Sequence, residues 1–346
     1  LSKCNTSGTH EADPEISPAE QLRYWTQVTR DLLMIRPSHF GPNAQTAVSN
    51  QFQRTPSHSA PELSVRALRE FDGVVATLLR VGVHVIVVPD LPDRSTPDAV
   101  FPNNWVSTHN DGTAVLYPMA ADNRRAERRP DLLKRIAAEG RFELRRVIDL
   151  SWLEQAGSFL EGTGSLVLDR LHGTAFAARS ARTHQSALDE FSRLAGYRIV
   201  AFDARLGAGE VYHTNVLMSL GQHFAILCSE AIQGAAVRRA VCAELKATKR
   251  SLIEVSADQV RHFAANCLEV DSAGGPVLVL SETALKSFRT AQLRVLERHA
   301  ALLPVDVATI ERVGGGGVRC MLAEIHLPRQ AQLDSLSTAS RQHPDP

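Results

Sequence analysis

Five polar residues recur at nearly equal intervals: Asn104, Glu161, His213, Asn266 and Cys320, separated by 57, 52, 53 and 54 residues. They include a thiol, an imidazole and a carboxylate. That is the set a cysteine nucleophile needs: a sulfur to attack, a base to take its proton, an acid to orient the base. Cys320 follows four glycines, Gly314 to Gly317, which admit backbone conformations closed to other residues and let a ligand approach closely. Arg319 adjoins the thiol, and a neighbouring cation lowers a thiol pKa. His213 leads into an apolar run from Val211-Tyr212-His213-Thr214-Asn215. Glu161 lies in Phe159-Leu160-Glu161-Gly162-Thr163-Gly164, where a partly buried acid needs a partner or a task. Taken singly, each has a plainer explanation: a buried structural cysteine, one satisfied histidine among 13, an acid at a turn edge.

Recurrence demands elements that bring these positions together. Strands are expected at Leu32–Ile35 and Val83–Val88, with a helix near 62–80 between them. A hairpin is expected around Asn110-Asp111-Gly112, from Trp105–Ser107 to Ala114–Tyr117, then a helix near 129–139 and a strand near 144–149. The order repeats: strands Leu166–Leu168, Thr174–Ala178 and Ile199–Phe202 with a helix near 183–194; strands Val216–Ser219, Phe224–Cys228 and Leu252–Val255 with a helix near 232–246. It repeats again with strands Leu268–Val270, Val277–Leu280 and Val305–Val307 and one long helix near 282–302. A last strand, Met321–Leu327, has no helix after it and can pair with the strand near Leu33, closing a ring. A unit used about five times, with a period of 50 to 60 residues, is a repeat architecture, and a ring removes exposed sheet edges. An ordinary mixed α/β domain remains the alternative. In a ring, equivalent strand starts converge on the axis and carry the five polar residues with them.

Composition narrows the classes. The 346 residues carry 38 Lys plus Arg and 38 Asp plus Glu, with 44 % hydrophobic and 22 % charged residues, ordinary for a soluble globular chain. Zero net charge argues against a nucleic-acid binder. The basic run Arg124-Arg125-Ala126-Glu127-Arg128-Arg129 is short, lacks interleaved aromatics and reads as a solvated helix start. No run approaches the roughly 20 apolar residues of a membrane span. The five cysteines (Cys4, Cys228, Cys242, Cys267, Cys320) are widely spaced, without a CxxC pair, so neither a zinc site nor a disulfide scaffold is expected. A cytoplasmic setting is the default. Residues 1–28 and 329–346 read as flexible tails around a single domain at 29–328, because no Pro-, Gly- or Ser-rich linker divides the interior.

The motifs together resemble the guanidino-group-modifying enzymes of pentein fold: arginine deiminase, dimethylargininase and the amidinotransferases. Within them the chain is most similar to the arginine-deiminase-related citrulline-utilisation hydrolases. The resemblance spans roughly 32–327. It rests on Pro97-Asp98-Ala99-Val100-Phe101, Asn123-Arg124-Arg125, Leu160-Glu161-Gly162, Ser180-Ala181-Arg182-Thr183, His213-Thr214-Asn215 and Gly316-Gly317-Val318-Arg319-Cys320-Met321, weak singly and specific in this order. It implies an α/β five-bladed pseudo-symmetric propeller in one domain. It implies Cys320 as nucleophile, His213 as general acid/base and Glu161 as the acid that holds substrate nitrogen and supports the histidine. It further implies Asp98 near the substrate α-amino group, and Arg124 and Arg182 on its α-carboxylate, a task suited to a guanidinium fork.

Asn103, Asn104 and Asn215 depart from the guanidine-using members, which carry acids there. Burying a permanent guanidinium without carboxylates is costly. A ureido group is neutral and offers a carbonyl acceptor and N–H donors, which an Asn amide matches. The expected activity is therefore hydrolysis of citrulline to ornithine, ammonia and carbon dioxide through an S-carbamoyl enzyme. The expected partner is a small amino-acid substrate, with no cofactor, metal, nucleic acid or membrane; a homo-oligomer stays open. The alternatives are an arginine deiminase, dihydrolase or dimethylargininase-like hydrolase, an amidinotransferase, or a non-catalytic pentein binding module.

Overall fold

The computed structural model describes residues 25–329. Five three-stranded sheets share one plan, an antiparallel pair followed by a parallel strand. They are β3 (Val106–Thr108), β4 (Thr113–Leu116) and β5 (Arg146–Asp149); β6 (Val167–Asp169), β7 (Thr174–Arg179) and β8 (Arg198–Asp203); β11 (Met218–Leu220), β12 (Phe224–Leu227) and β13 (Ser251–Glu254); and β14 (Leu268–Val270), β15 (Val277–Ser281) and β16 (Ala301–Val305). The fifth joins the two ends of the fold: β17 (Ala323–Glu324) lies antiparallel to β1 (Asp31–Arg36), which runs parallel to β2 (His84–Pro89). β9 (Arg205–Leu206) and β10 (Gly209–Glu210) form a further small hairpin. Parallel neighbours require a crossover, and helices supply each one. Ala60–Arg80 shows why they pack: Leu63, Ala67, Phe71, Val74 and Leu78 fall on one face and are buried, the spacing of an apolar helical stripe. Its start is secured by a capping box between Ser59 and Glu62.

The pairing of the last strand with the first is present, Leu32 opposite Glu324 and Leu33 opposite Ala323. No closed sheet forms among the described residues. Three expectations require correction. The single helix near 282–302 is two helices, Glu282–Ser287 and Thr290–Leu296. Phe288 leaves the helix to bury its ring, and Gln292 accepts from the backbone N–H of Arg289 to start the second one. The strand near Val305–Val307 is shifted to Ala301–Val305, where pairing with β15 captures the apolar run. Pro304 fits because β16 is an edge strand. The last strand is only two residues long, because Val318–Met321 winds into a helical turn that carries Cys320.

Residues 1–24 and 330–346, most of the two expected tails, lie outside the described residues. Gln27, within the expected N-terminal tail, is buried and bonds both Leu168 O and the backbone N–H of Arg170. Among the described residues no helix is long and apolar enough to cross a membrane, and no group of three or more His, Cys, Asp or Glu side chains could hold a metal ion. The described cysteines, Cys228, Cys242, Cys267 and Cys320, are unpaired.

Candidate active site

Each of the five recurring polar residues sits just before the first strand of a sheet: Asn104 before β3, Glu161 before β6, His213 before β11, Asn266 before β14 and Cys320 before β17. These strands are short and fully or largely buried, so their starts are driven together and the five side chains meet. All are buried.

Glu161 is the hub. Its Oε2 receives Nε2–H of His213 at 2.8 Å and lies 3.5 Å from Arg182 and 3.7 Å from Arg124, while Oε1 accepts the backbone N–H of Ala120. Burial alone opposes ionisation, but Arg182, the His213 hydrogen bond and Arg124 together hold this carboxyl well below the usual range. Burial likewise opposes ionisation of His213 and drives it down to about 4 against the pull of Glu161, so the imidazole is neutral near pH 7. With Nε2 donating to Glu161, Nδ1 is the acceptor. It faces Gly164, where an added methyl would stand 2.7 Å from Nδ1 and 2.5 Å from Nδ2 of Asn104. Glycine is needed there because ring and amide occupy the space of a side chain.

Cys320 Sγ lies 3.4 Å from Nδ2 of Asn266 and 3.6 Å from Nδ2 of Asn215. Burial pushes the thiol up, and the two amides with Arg319 and Arg124 only partly offset it. Arg319 itself turns away from the cleft, to Leu322 O and Glu324. The resting arrangement is thus a neutral thiol and a neutral imidazole, with N–H donors ready for a thiolate. The glycine run contributes backbone: Gly315 has φ +66°, an added Cβ there would stand 2.6 Å from Asn50 Nδ2 and 2.7 Å from Gln53 Cγ, and its carbonyl accepts the Tyr212 hydroxyl at 2.6 Å.

A narrow cleft is lined by Asp98, Asn104, Arg124, Arg182, Tyr212, His213 and Cys320 among others. At its far end Asp98 Oδ2 accepts from Asn43 and Thr46, while buried Oδ1 has no hydrogen-bond partner among the described residues. Arg182 donates to Ser49 Oγ and Thr46 O and lies 4.8 Å over the Tyr212 ring. Arg124 binds Glu127 through Nε and Nη2 and Asn104 Oδ1 through Nη1 at 2.8 Å. Asn103 stands behind Asn104 and does not line the cleft; its Oδ1 accepts from Asn104 Nδ2. Asn215 also lies outside the lining, at the sulfur, and donates to Thr163 O.

Asn43, Thr46, Ser49, Asn50, Tyr212 and Glu127 were not singled out from sequence. The first four belong to residues 37–59, a polar connection far longer than the roughly four to six residues typical. That length was the available signal, since long connections carry function.

A family model described as N,N dimethylarginine dimethylhydrolase, eukaryotic, matches residues 36–327. A comparison with curated proteins returns no match. Among solved structures, the product-bound N-terminal domain of ArgZ, an arginine dihydrolase from the ornithine–ammonia cycle in cyanobacteria, superposes with a TM-score of 0.67 at 18 % identity. The match covers 86 % of this chain and 99 % of that one. Unliganded AgrE gives 0.67 at 17 %, covering 85 % of this chain and 39 % of that one. An adduct of dimethylarginine dimethylaminohydrolase with S-methyl-L-thiocitrulline gives 0.59 at 14 %, covering 86 % and 100 %. At these identities the likeness is one of fold, the pentein fold.

Proposed function

Because the chain belongs to the N,N-dimethylarginine dimethylhydrolase family of the guanidino-modifying superfamily, we propose that it hydrolyses the ureido group of citrulline. Membership makes it a hydrolase of non-peptide carbon–nitrogen bonds that uses a cysteine. The observation that carries the narrower reading is the surroundings of the sulfur. Asn215 and Asn266 touch it, Asn104 lies beside His213, and Glu161 is already paired with His213 and two arginines. A neutral head with a carbonyl and N–H groups suits amides, whereas a further buried cation would meet a Glu161 whose charge is already shared.

In this reading Asp98 takes the α-ammonium on its free Oδ1, and Arg182 takes the α-carboxylate. Asn104 and Asn215 hold the urea head, with Asn103 bracing Asn104. Cys320 sulfur attacks the ureido carbon as its proton passes to His213 Nδ1, and Glu161 stabilises the imidazolium. His213 then protonates the departing δ-nitrogen; the C–N bond breaks, ornithine leaves and an S-carbamoyl enzyme remains. Water adds to that carbonyl, the C–S bond breaks, and carbamic acid decomposes to ammonia and carbon dioxide. The unpaired cysteines and the need for reduced sulfur support a cytoplasmic setting. The five like sheets support a five-bladed propeller around this site.

Arginine is the second reading, favoured by the ionised Glu161 and by fold neighbours that are arginine dihydrolases. The test is incubation of the purified protein with citrulline, arginine or methylated arginine, assaying ornithine, ammonia and citrulline. Ornithine from citrulline, lost in Cys320→Ala, is the expected result. Turnover of arginine but not citrulline contradicts it; no turnover of any supports the binding module.

A further inference from the structure

The basic run of the sequence holds an acid that the reaction leaves unassigned. Glu127 is buried, and both its oxygens receive Arg124, at 3.0 and 3.2 Å from Nε and 2.9 Å from Nη2. This two-point grip fixes the plane of the guanidinium. Arg124 Nη1 then donates to Asn104 Oδ1 at 2.8 Å, and Asn104 Nδ2 donates to Asn103 Oδ1 at 3.0 Å.

A guanidinium has only donors, so it sets the polarity of whatever it touches. Were the Asn104 amide to flip, its NH₂ would face Nη1, donor against donor, and its oxygen would face Asn103 Oδ1, acceptor against acceptor. The carbonyl of Asn104 is therefore committed to Arg124, and the amide nitrogen lies on the side of Gly164 and His213. A head group entering beside His213 meets an N–H donor at Asn104. A ureido oxygen accepts from it; a guanidinium, which carries no acceptor, does not.

We propose that Glu127, acting through Arg124, is a specificity-determining positioning residue that turns Asn104 donor-first toward the cleft and so selects a carbonyl-bearing head group. Arg124 is then a brace for the head-group end, and Arg182 is left to grip the substrate carboxylate. This inference rests on the citrulline reading and goes beyond it by naming what sets the preference.

The test compares kcat/KM for citrulline and arginine in the wild-type chain, Glu127→Gln, Glu127→Asp and Asn104→Asp. Glu127→Gln loses the two-oxygen grip and is expected to lower the citrulline-to-arginine ratio at least tenfold. Glu127→Asp keeps the carboxyl and is expected to recover part of the ratio; should Glu127→Gln fail to fold, its smaller shift in the same direction decides. Asn104→Asp replaces the donor with an acceptor and is expected to shift the ratio the same way. A merely structural role for Glu127 lowers both substrates alike, and an unchanged ratio in the Glu127 variants overturns the proposal. Citrulline preference in the wild type with unchanged variant ratios sinks the brace alone. Absence of citrulline turnover by the wild type sinks the citrulline reading and the brace together.

Discussion

Two buried clusters in this molecule have the same composition. In the cleft, Glu161 is held by Arg124, Arg182 and Nε2 of His213. Around a second, small cavity, Glu324 is held by Arg170, Arg319 and Nε2 of His326. In both, burial disfavours ionisation of the glutamate, yet its neighbours, arginines foremost, pull the carboxyl far below the usual range. In both, burial drives the histidine down to about 4. Consecutive residues feed them, since Cys320 faces the first cluster and Arg319 the second. The fold thus uses one charge arrangement twice, and the arrangement is not what makes a site reactive. The cleft adds a sulfur flanked by two amide donors and a glycine against which the His213 ring packs; no cysteine is among the described residues lining the second cavity.

Matched substitutions separate the two clusters. Glu161→Gln is expected to lower kcat by ~10²–10⁴-fold through loss of acid–base support. Glu324→Gln is expected to cost about 3–5 kcal/mol, as removing one partner of a buried ion cluster does, with kcat of the folded protein unchanged. Steady-state kinetics beside urea denaturation reads both, and a large kcat loss in Glu324→Gln would erase the distinction.

Acid stability makes the clusters alike again. Each histidine has an ordinary pKa of 6.5 and a folded value of about 4, so the unfolded chain binds protons first. Stability is full above 6.5 and falls as pH drops toward 4, by roughly 3 kcal/mol per histidine. The depressed carboxyls of Glu161 and Glu324 extend the loss below pH 4.5. His213→Asn and His326→Asn are each expected to flatten the slope between pH 6.5 and 4 by a similar amount, measured by denaturation across pH, although only the first abolishes turnover.

Smaller effects sharpen the contrast. Gly164→Ala pushes the His213 ring and the Asn104 amide aside and is expected to cost roughly 10²-fold in kcat/KM, the scale of a 1 Å misplacement, with little change at the second cavity. His326→Asn is expected to cost about 1 kcal/mol at neutral pH, one hydrogen bond, with kcat intact.

The cleft cluster was legible in sequence and its twin was not. Glu161, His213 and Cys320 recur at the repeat interval, because each precedes the first strand of a sheet. Glu324 and His326 sit in and after the two-residue β17, and Arg170 in a turn, with no interval linking them. Strand order was readable because hairpin turns and apolar runs are local. The break at Phe288 was not, because it depends on where that ring is buried. Asp98 and Arg182 carry recognisable motifs, but the loop that covers them, with Asn43, Thr46 and Ser49, is polar and unpatterned. The direction of Arg319 also escaped the sequence: adjacency to Cys320 suggested a cation at the sulfur, whereas the carboxylate of Glu324 draws the guanidinium to the other side.

The central claim is that Cys320, and no other thiol, takes up the ureido carbon. Acid quenching during citrulline turnover, followed by peptide mass spectrometry, tests it directly. A carbamoyl group on the Cys320 peptide, absent from the Cys228, Cys242 and Cys267 peptides, is the predicted result. Ornithine formation that persists in Cys320→Ala, or a carbamoyl group found only on another cysteine, contradicts it.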